Sequence, residues 1–466
     1  MNRLPARELA RLVREKQASP VDILDAHLAA IERANPAVNA IVTVALEQAR
    51  EAARAAEAAV MRGEALGPLH GVPVGIKDIT PTAGIRTTWG SALFADHVPA
   101  EDAEVVRRIK RAGAIVIGKT NTPEFAAGGN TVNRVFGATR NPWGLRLSAS
   151  GSTGGGAAAL AAAMIPLAEG TDFGGSVRTP AAFCGVVGLR TTAGLVPRLP
   201  ITLPWHDQSV TGPMARDVAD CALFLDAMTG FSTVSPLSVP PAWESAAAIV
   251  ERAEHLRGVR LAYAPAIGPT GIDPEVARLC REAAFALERH GASVEEVAFD
   301  LSEGCDAFVT LRGEAMVGNH LARLEKLGEL NPNLAGNIRL GLGVQILDIA
   351  RAEHKRAEIW HRCRALFERF DLLLTPTTSV LPFPVEQNYP AEIAGKKLES
   401  YMDWLAQTYL VSLAGLPAAS VPAGLSASQL PVGLQIVGPR LSEPRILACA
   451  KLVERDHPIG WAPNAA

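Results

Sequence analysis

The sequence predicts an α/β layered protein, and two observations carry that prediction. Amphipathic helical stretches alternate with short apolar runs along most of the chain. Hydrophobic residues make up 48% of the 466 residues and charged residues 20%, enough apolar material for a large buried core. No internal repeat and no low-complexity linker marks a boundary, so residues 1–466 are read as one large domain.

Residues 5–65 read as helices. Ser19-Pro20 offers an N-cap followed by proline at the first helical position, and Ile23, Ala26, His27, Ala30 and Ile31 then recur at helical spacing. A second helix is expected over Ala45–Met61. Gly71-Val-Pro-Val-Gly-Ile-Lys-Asp78 is apolar and broken by glycine and proline, as suits a buried strand ending at a polar site. Ala103–Ala112 reads as a helix leading into a core strand over Ala114–Lys119. Helices are then expected over Asp217–Met228, Pro274–His290, much of 301–365, and Arg445–Val453. Strands are expected over Val259–Tyr263, Ser293–Phe299, Asp371–Thr375, Ala418–Val421 and Val432–Val437.

The chemistry is concentrated in one stretch. Ser150-Gly-Ser-Thr-Gly-Gly-Gly156 and Gly170-Thr-Asp-Phe-Gly-Gly-Ser-Val-Arg178 read as two glycine-rich loops flanking a single short alanine-rich helix. Glycine allows backbone to approach a ligand closely, and consecutive loop N–H groups can converge on one developing negative charge. Ser152 and Ser176 supply hydroxyls, and Lys77 follows an apolar strand, where partial desolvation lowers an amine's pKa. A lone serine in such a loop is most often a turn residue, and a lone lysine most often a solvated one. Cys184, in an apolar run, reads as core, and His206, after Pro204-Trp205, as ordinary packing. Arg178 is open between a substrate-carboxylate site and a buried ion pair, while Thr171 and Asp172 read as loop-orienting residues.

Together these stretches resemble the amidase signature family of serine hydrolases. So do Gly118-Lys-Thr-Asn-Thr-Pro-Glu-Phe125, Gly137-Ala-Thr-Arg-Asn-Pro-Trp143, Pro180–Leu189, Gly212-Pro-Met-Ala-Arg216, Leu413-Ala-Gly-Leu-Pro417 and Leu430–Gly438. The resemblance implies a single α/β/α domain with a central mixed, mostly parallel sheet covered by helices. Residues 67–220 would form its signature core and 301–410 its specificity region. It implies a Ser–cisSer–Lys triad, with Ser176 as nucleophile, Ser152 as bridge after a cis Gly151–Ser152 peptide, and Lys77 as base. The backbone of Phe173, Gly174, Gly175 and Ser176 would form the oxyanion hole. Thr153, Thr171, Asp172, Arg178 and Trp205 are candidate supporting or substrate-binding residues. The first loop departs from the common Gly-Gly-Ser-Ser-Gly-Gly-Ser pattern at Thr153 and Gly156, and Phe173 stands where a smaller or aliphatic residue is frequent. The implied activity is hydrolysis of a small-molecule carboxylic amide through an acyl-enzyme. Phe308, Tyr401, Trp404 and Tyr409, with Trp205, suggest an aryl or alkyl group.

Three other readings compete. The glutamine-hydrolysing component of a tRNA-dependent amidotransferase shares the signature, but typically has glutamine where this chain has Thr179. A nucleotide-binding protein would need a strand before Gly154-Gly-Gly-Ala-Ala-Ala159, and Leu145–Ser150 is a poor one. A Ser-His-Asp hydrolase would need G-x-S-x-G around Ser176, where Arg178 breaks it.

A formal charge of −3 gives no reason to expect nucleic acid or an anionic membrane as partner. A homodimer is compatible with the sequence. The ten histidines form no HExxH or HxxEH pattern and the six cysteines no CxxC pair, so no metal, no cofactor and no disulfide framework is expected. The opening Met1-Asn-Arg-Leu-Pro-Ala-Arg lacks an apolar h-region and no long apolar span follows, so a cytoplasmic location is expected.

Overall fold

Strand alternation sorts the apolar side chains onto two sides of one sheet. The computed structural model describes residues 1–465. Eleven strands form the main sheet: β1 (Ile41–Val44), β2 (Pro73–Lys77), β3 (Ile115–Thr120), β4 (Leu167–Asp172), β5 (Val187–Arg190), β6 (Val210–Ala215), β7 (Arg260–Tyr263), β8 (Ser293–Glu296), β9 (Leu372–Pro376), β10 (Ala418–Leu425) and β11 (Pro431–Val437). Their order across the sheet is β1-β3-β2-β4-β6-β5-β10-β11-β9-β7-β8. Val74, Ile76, Leu167, Leu261, Leu372, Leu374, Leu434 and Ile436 enter a core on one face. The residues between them point the other way: Ala168 with Ile115 and Ile117 at one end, and Ala262, Leu373 and Val437 at the other.

Helices cover both faces. The first face packs against α1 (Ala6–Arg14), α4 (Glu104–Arg111), α7 (Val218–Met228), α8 (Ala246–Arg252), α9 (Pro274–Ala286) and α14 (Glu443–Asp456). The second packs at one end against α2 (Pro20–Val38), α3 (Leu46–Arg62), α5 (Gly154–Ala161) and α6 (Arg178–Cys184). Its other end packs against α10 (Cys305–His320), α12 (Ile346–Arg369) and α13 (Ala406–Leu413), while α11 (Pro332–Gly343) leans on α10. Ser19 caps α2 as expected, accepting the Val21 N–H. Among the described residues no helix is long and apolar enough to cross a membrane.

The sheet is mixed, but parallel pairing does not prevail. β3–β2, β2–β4, β9–β7 and β7–β8 are parallel. The other six neighbouring pairs, β1–β3, β4–β6, β6–β5, β5–β10, β10–β11 and β11–β9, are antiparallel. Connection length explains part of this. Residues 426–430 are all that join β10 to β11, far too few for the crossover a parallel pair requires.

Several strands lie where the sequence reading expected none, β5 and β6 among them. β1 lies inside the segment read as helical, and β4 runs from the end of the alanine-rich stretch into the second glycine-rich loop. Leu167-Ala-Glu-Gly-Thr-Asp has low intrinsic strand preference, and pairing with β2 and β6 overrides it. Gly144–Ser148 is a strand after all, paired with Arg140–Asn141 outside the main sheet.

The first glycine loop is also shorter than expected, because α5 begins at Gly154. A Cβ on Gly155 would run into the amide nitrogen and carbonyl oxygen of Asn121, just past β3. Glycine there lets the helix start close against the ends of β2 and β3. Gly155→Ala is therefore expected to cost about 1–3 kcal/mol, read as a lower unfolding midpoint in denaturant. Gly343→Ala, with open space around its Cβ, is expected to leave the midpoint close to wild type.

Candidate active site

The C-terminal ends of the parallel strands β2 and β4 and the N-terminus of α5 meet at one point, where open α/β sheets place their ligand crevices. Lys77 is the last residue of β2 and is fully buried. Its Nζ lies 2.8 Å from Ser152 Oγ, 2.8 Å from Thr153 Oγ1 and 3.0 Å from Thr171 Oγ1. Each hydroxyl both donates and accepts, so this cage can hold the group protonated or neutral. Burial pulls the Lys77 pKa down to about 7; Glu169 and Asp172 oppose the shift, and Arg198 adds to it. No carboxylate among the described residues lies within ion-pair distance of Nζ. Glu169, also buried, accepts the Lys77 backbone N–H at 3.1 Å and the Thr80 hydroxyl at 3.0 Å, and burial raises its pKa.

Ser176 sits at the turn between β4 and α6, partly exposed, and shares the wall of one cavity with Ser152 and Thr171. The two serine loops are joined where the Thr153 N–H donates to the Ser176 carbonyl at 3.1 Å. The Gly151–Ser152 peptide is cis, as expected. Asp172 organises the turn. Its carboxylate accepts the Gly175 N–H at 3.0 Å and the Val177 N–H at 3.2 Å, pairs with both arms of Arg178 at 2.8 and 3.0 Å, and meets Arg190 at 3.2 Å. Burial pushes this carboxyl up, but Arg178 and Arg190 outweigh it and hold the pKa well below the ordinary range. Gly175 has φ +122°, and a Cβ there would strike Thr408, so only glycine fits.

The cavity measures about 570 Å³. Its walls include Trp89, Phe94, Phe125 and Phe173 as well as the serines, and Arg312 lies near the rings of both Phe173 and Tyr401. Phe173 packs edge-on against Phe308, which stacks on Tyr409 with 4.5 Å between ring centres.

Several expectations need correction. Arg178 is fully buried and bound to Asp172, Gln435, Ser412 and the Thr408 carbonyl, so it is the ion-pair residue and has no donor left for a substrate. The Gly175 amide is taken by Asp172, which leaves Phe173, Gly174 and Ser176 as backbone donors of that turn without an acceptor among the described residues. Trp205 is 74% exposed and stands outside the cavity, while His206 lines it. Phe308, Trp404 and Tyr409 belong to the core beneath, and of that aromatic set only Tyr401 reaches the cavity. Cys184 is core, its thiol pushed up by burial. Thr153, which departs from the common loop pattern, binds Lys77 directly, and so does Thr171.

Sequence reasoning missed Glu169, Arg198, Arg312 and Arg323. Glu169 left a signal, a lone carboxylate within a stretch of small and apolar residues. The arginines left none, because helix and loop positions do not reveal which face meets a cavity.

A buried lysine at a strand end thus lies among three hydroxyls, and Ser152 and Ser176 share the wall of one cavity. The family model described as Amidase matches residues 22–447, and the chain belongs to that family of C–N-hydrolysing enzymes. It is 38% identical over 468 residues to an acylamidase of Rhodococcus erythropolis, covering 98% of this chain and 96% of that one. It is 37% identical to the A component of the glutamyl-tRNA(Gln) amidotransferase of Moorella thermoacetica, covering 97% and 96%. Its fold matches the crystal structure of a bacterial aryl acylamidase of the amidase signature family with a TM-score of 0.90 and 30% identity, over 99% of this chain and 97% of that one.

Removing the Asp172 charge is expected to leave buried guanidinium groups unpaired. Asp172→Asn should lose about 3–5 kcal/mol of stability in denaturant melts. The sign with pH follows from the depressed pKa. The stabilisation is full above the ordinary carboxylate value of about 4 and is lost as pH falls towards the lower folded value. Asp172→Asn should lack that part of the acid limb.

Proposed function

We propose that the protein is a stand-alone amidase that hydrolyses a small-molecule carboxylic amide through an acyl-enzyme on Ser176. The observation that carries this reading is the buried Lys77 amine, 2.8 Å from Ser152 Oγ, with its pKa lowered to about 7. In the free amine form Lys77 takes the Ser152 hydroxyl proton while Ser152 takes that of Ser176, and Ser176 Oγ adds to the amide carbonyl. Backbone N–H groups of Phe173, Gly174 and Ser176 stabilise the resulting oxyanion. Collapse breaks the C–N bond as the proton returns through Ser152 to the leaving nitrogen. Water then enters by the reverse route, releases the carboxylate and restores Ser176.

Residues 67–220 supply this chemistry. The 301–410 region, through Arg312, Met316, His320, Tyr401 and Leu405, lines the same cavity and so sets substrate choice. The likeness to an acylamidase and to an aryl acylamidase favours aryl or alkyl amides, and the aromatic wall of Trp89, Phe94, Phe125 and Phe173 suits them. The amidotransferase reading rests on comparable identity, and a partner-dependent glutaminase activity would establish it over this one.

The test is a hydrolysis panel of aliphatic amides, aryl acylamides, amino-acid amides and ureido compounds. Ser176→Ala should abolish turnover of every active substrate while melting like wild type; turnover surviving in it would contradict the assignment. Lys77→Met should lower kcat/KM by about 10²–10⁴-fold. Because the neutral amine is the reactive form, wild-type kcat/KM should rise with pH through about 7 and level off above it. A flat profile from pH 5 to 9 would count against Lys77 as base.

A further inference from the structure

The cavity above Ser176 carries more positive charge than the amide chemistry uses. Arg198, Arg312 and Arg323 all line it, and among the described residues no aspartate or glutamate does. Two of the three have partners. Arg198 donates to the Ser209 carbonyl at 2.5 Å. Arg323 donates to the Asn319 carbonyl at 3.3 Å and lies 5.2 and 5.0 Å from the ring centres of Phe94 and Phe125.

Arg312 is different. It is only 7% exposed, it forms no hydrogen bond or ion pair among the described residues, and its Nη1 is sealed from solvent. The rings of Phe173 and Tyr401 lie 5.8 and 6.0 Å from its guanidinium carbon, at the outer limit of cation–π contact. A guanidinium stays charged in a protein, and a buried cation is normally paired. Nothing among the described residues pairs Arg312, and its side chain opens on the cavity. Its planar fork matches a carboxylate with two parallel hydrogen bonds. Phe173 connects this cation to the chemistry, since its backbone belongs to the turn that carries Ser176 and its ring lies beside Arg312. One small molecule can therefore place an amide at Ser176 and an anion at Arg312, with its apolar middle along the aromatic wall.

We propose that the preferred substrates are amides that also bear a carboxylate remote from the scissile bond, bound by Arg312. This rests on the reading of Ser176 as nucleophile and of this cavity as its substrate site.

Matched amides test it, differing only in the carboxylate: glutaric acid monoanilide against butyranilide, and 4-acetamidobenzoate against acetanilide. In at least one pair the charged member should have a kcat/KM roughly tenfold or more above the neutral one, through a lower KM. Arg312→Met should reduce that ratio at least tenfold, and Arg312→Lys should recover part of it. Neutral members preferred in both pairs, or a ratio untouched by Arg312→Met, would overturn the proposal. A binding arm on wild-type protein covers the case in which the variant does not fold or no anilide is turned over. Titration calorimetry should give 5-oxo-5-phenylpentanoate at least tenfold tighter binding than butyrophenone, the same ketone without the carboxylate. Equal binding would overturn the proposal. Neutral anilides cleaved by Ser176 with no carboxylate preference defeat this inference alone. Tight carboxylate binding with turnover that survives Ser176→Ala defeats the nucleophile reading instead.

Discussion

The site depends on one buried amine placed among hydroxyls instead of carboxylates. Lys77 Nζ has three hydroxyl neighbours at 2.8–3.0 Å and, among the described residues, no side-chain carboxylate in ion-pair reach. A carboxylate in contact would hold the amine protonated. Full exposure would do the same, leaving it near its ordinary value of about 10.4. Hydroxyls inside a dry site satisfy the group without fixing its charge, so burial can bring the pKa towards neutrality. Lys119, on the adjacent strand, shows the same physics in a different setting. It is buried against the Thr80 carbonyl and the Thr82 hydroxyl, with a pKa lowered by burial to about 8, but it does not line the cavity.

The surrounding architecture keeps that amine dry and the turn beside it stiff. The close start of α5 at Gly154–Gly156 brings Ser152 and Thr153 down onto Lys77. Asp172, Arg178 and Arg190 form a buried ion cluster that bonds the Gly175 and Val177 amides and so fixes the turn carrying Ser176. Charge is thus handled in two ways within a few residues. It is compensated at Asp172, where rigidity is required, and avoided at Lys77, where a change of protonation is required. In the cavity wall Arg312 is a third case, a charge left without compensation among the described residues.

The sequence made legible what is encoded locally. The apolar run ending at Lys77, the cap at Ser19 and the alternating helices and strands after Pro274 all appear where periodicity placed them. Ser152 and Ser176 were found through their glycine-rich setting and a family resemblance, since spacing in the chain does not show that two loops meet. β4 was missed because its small and acidic residues owe their strand conformation to the neighbours β2 and β6. Arg312 and Arg323 lay hidden for a related reason. Each is one arginine on a helix or short helical turn, and only the packing of α10 and the turn after it against neighbouring helices decides that it faces the cavity. Trp205 failed in the opposite direction: an aromatic residue near the site turned out to face solvent.

Loss of the Lys77 proton near neutral pH can be observed without any substrate. With ¹³Cε-labelled lysine, an NMR pH titration follows each lysine, and the signal absent in Lys77→Met identifies Lys77. A midpoint near 7 is expected for that signal, well below the ordinary lysine value. A midpoint near the ordinary value of about 10.4 would contradict it.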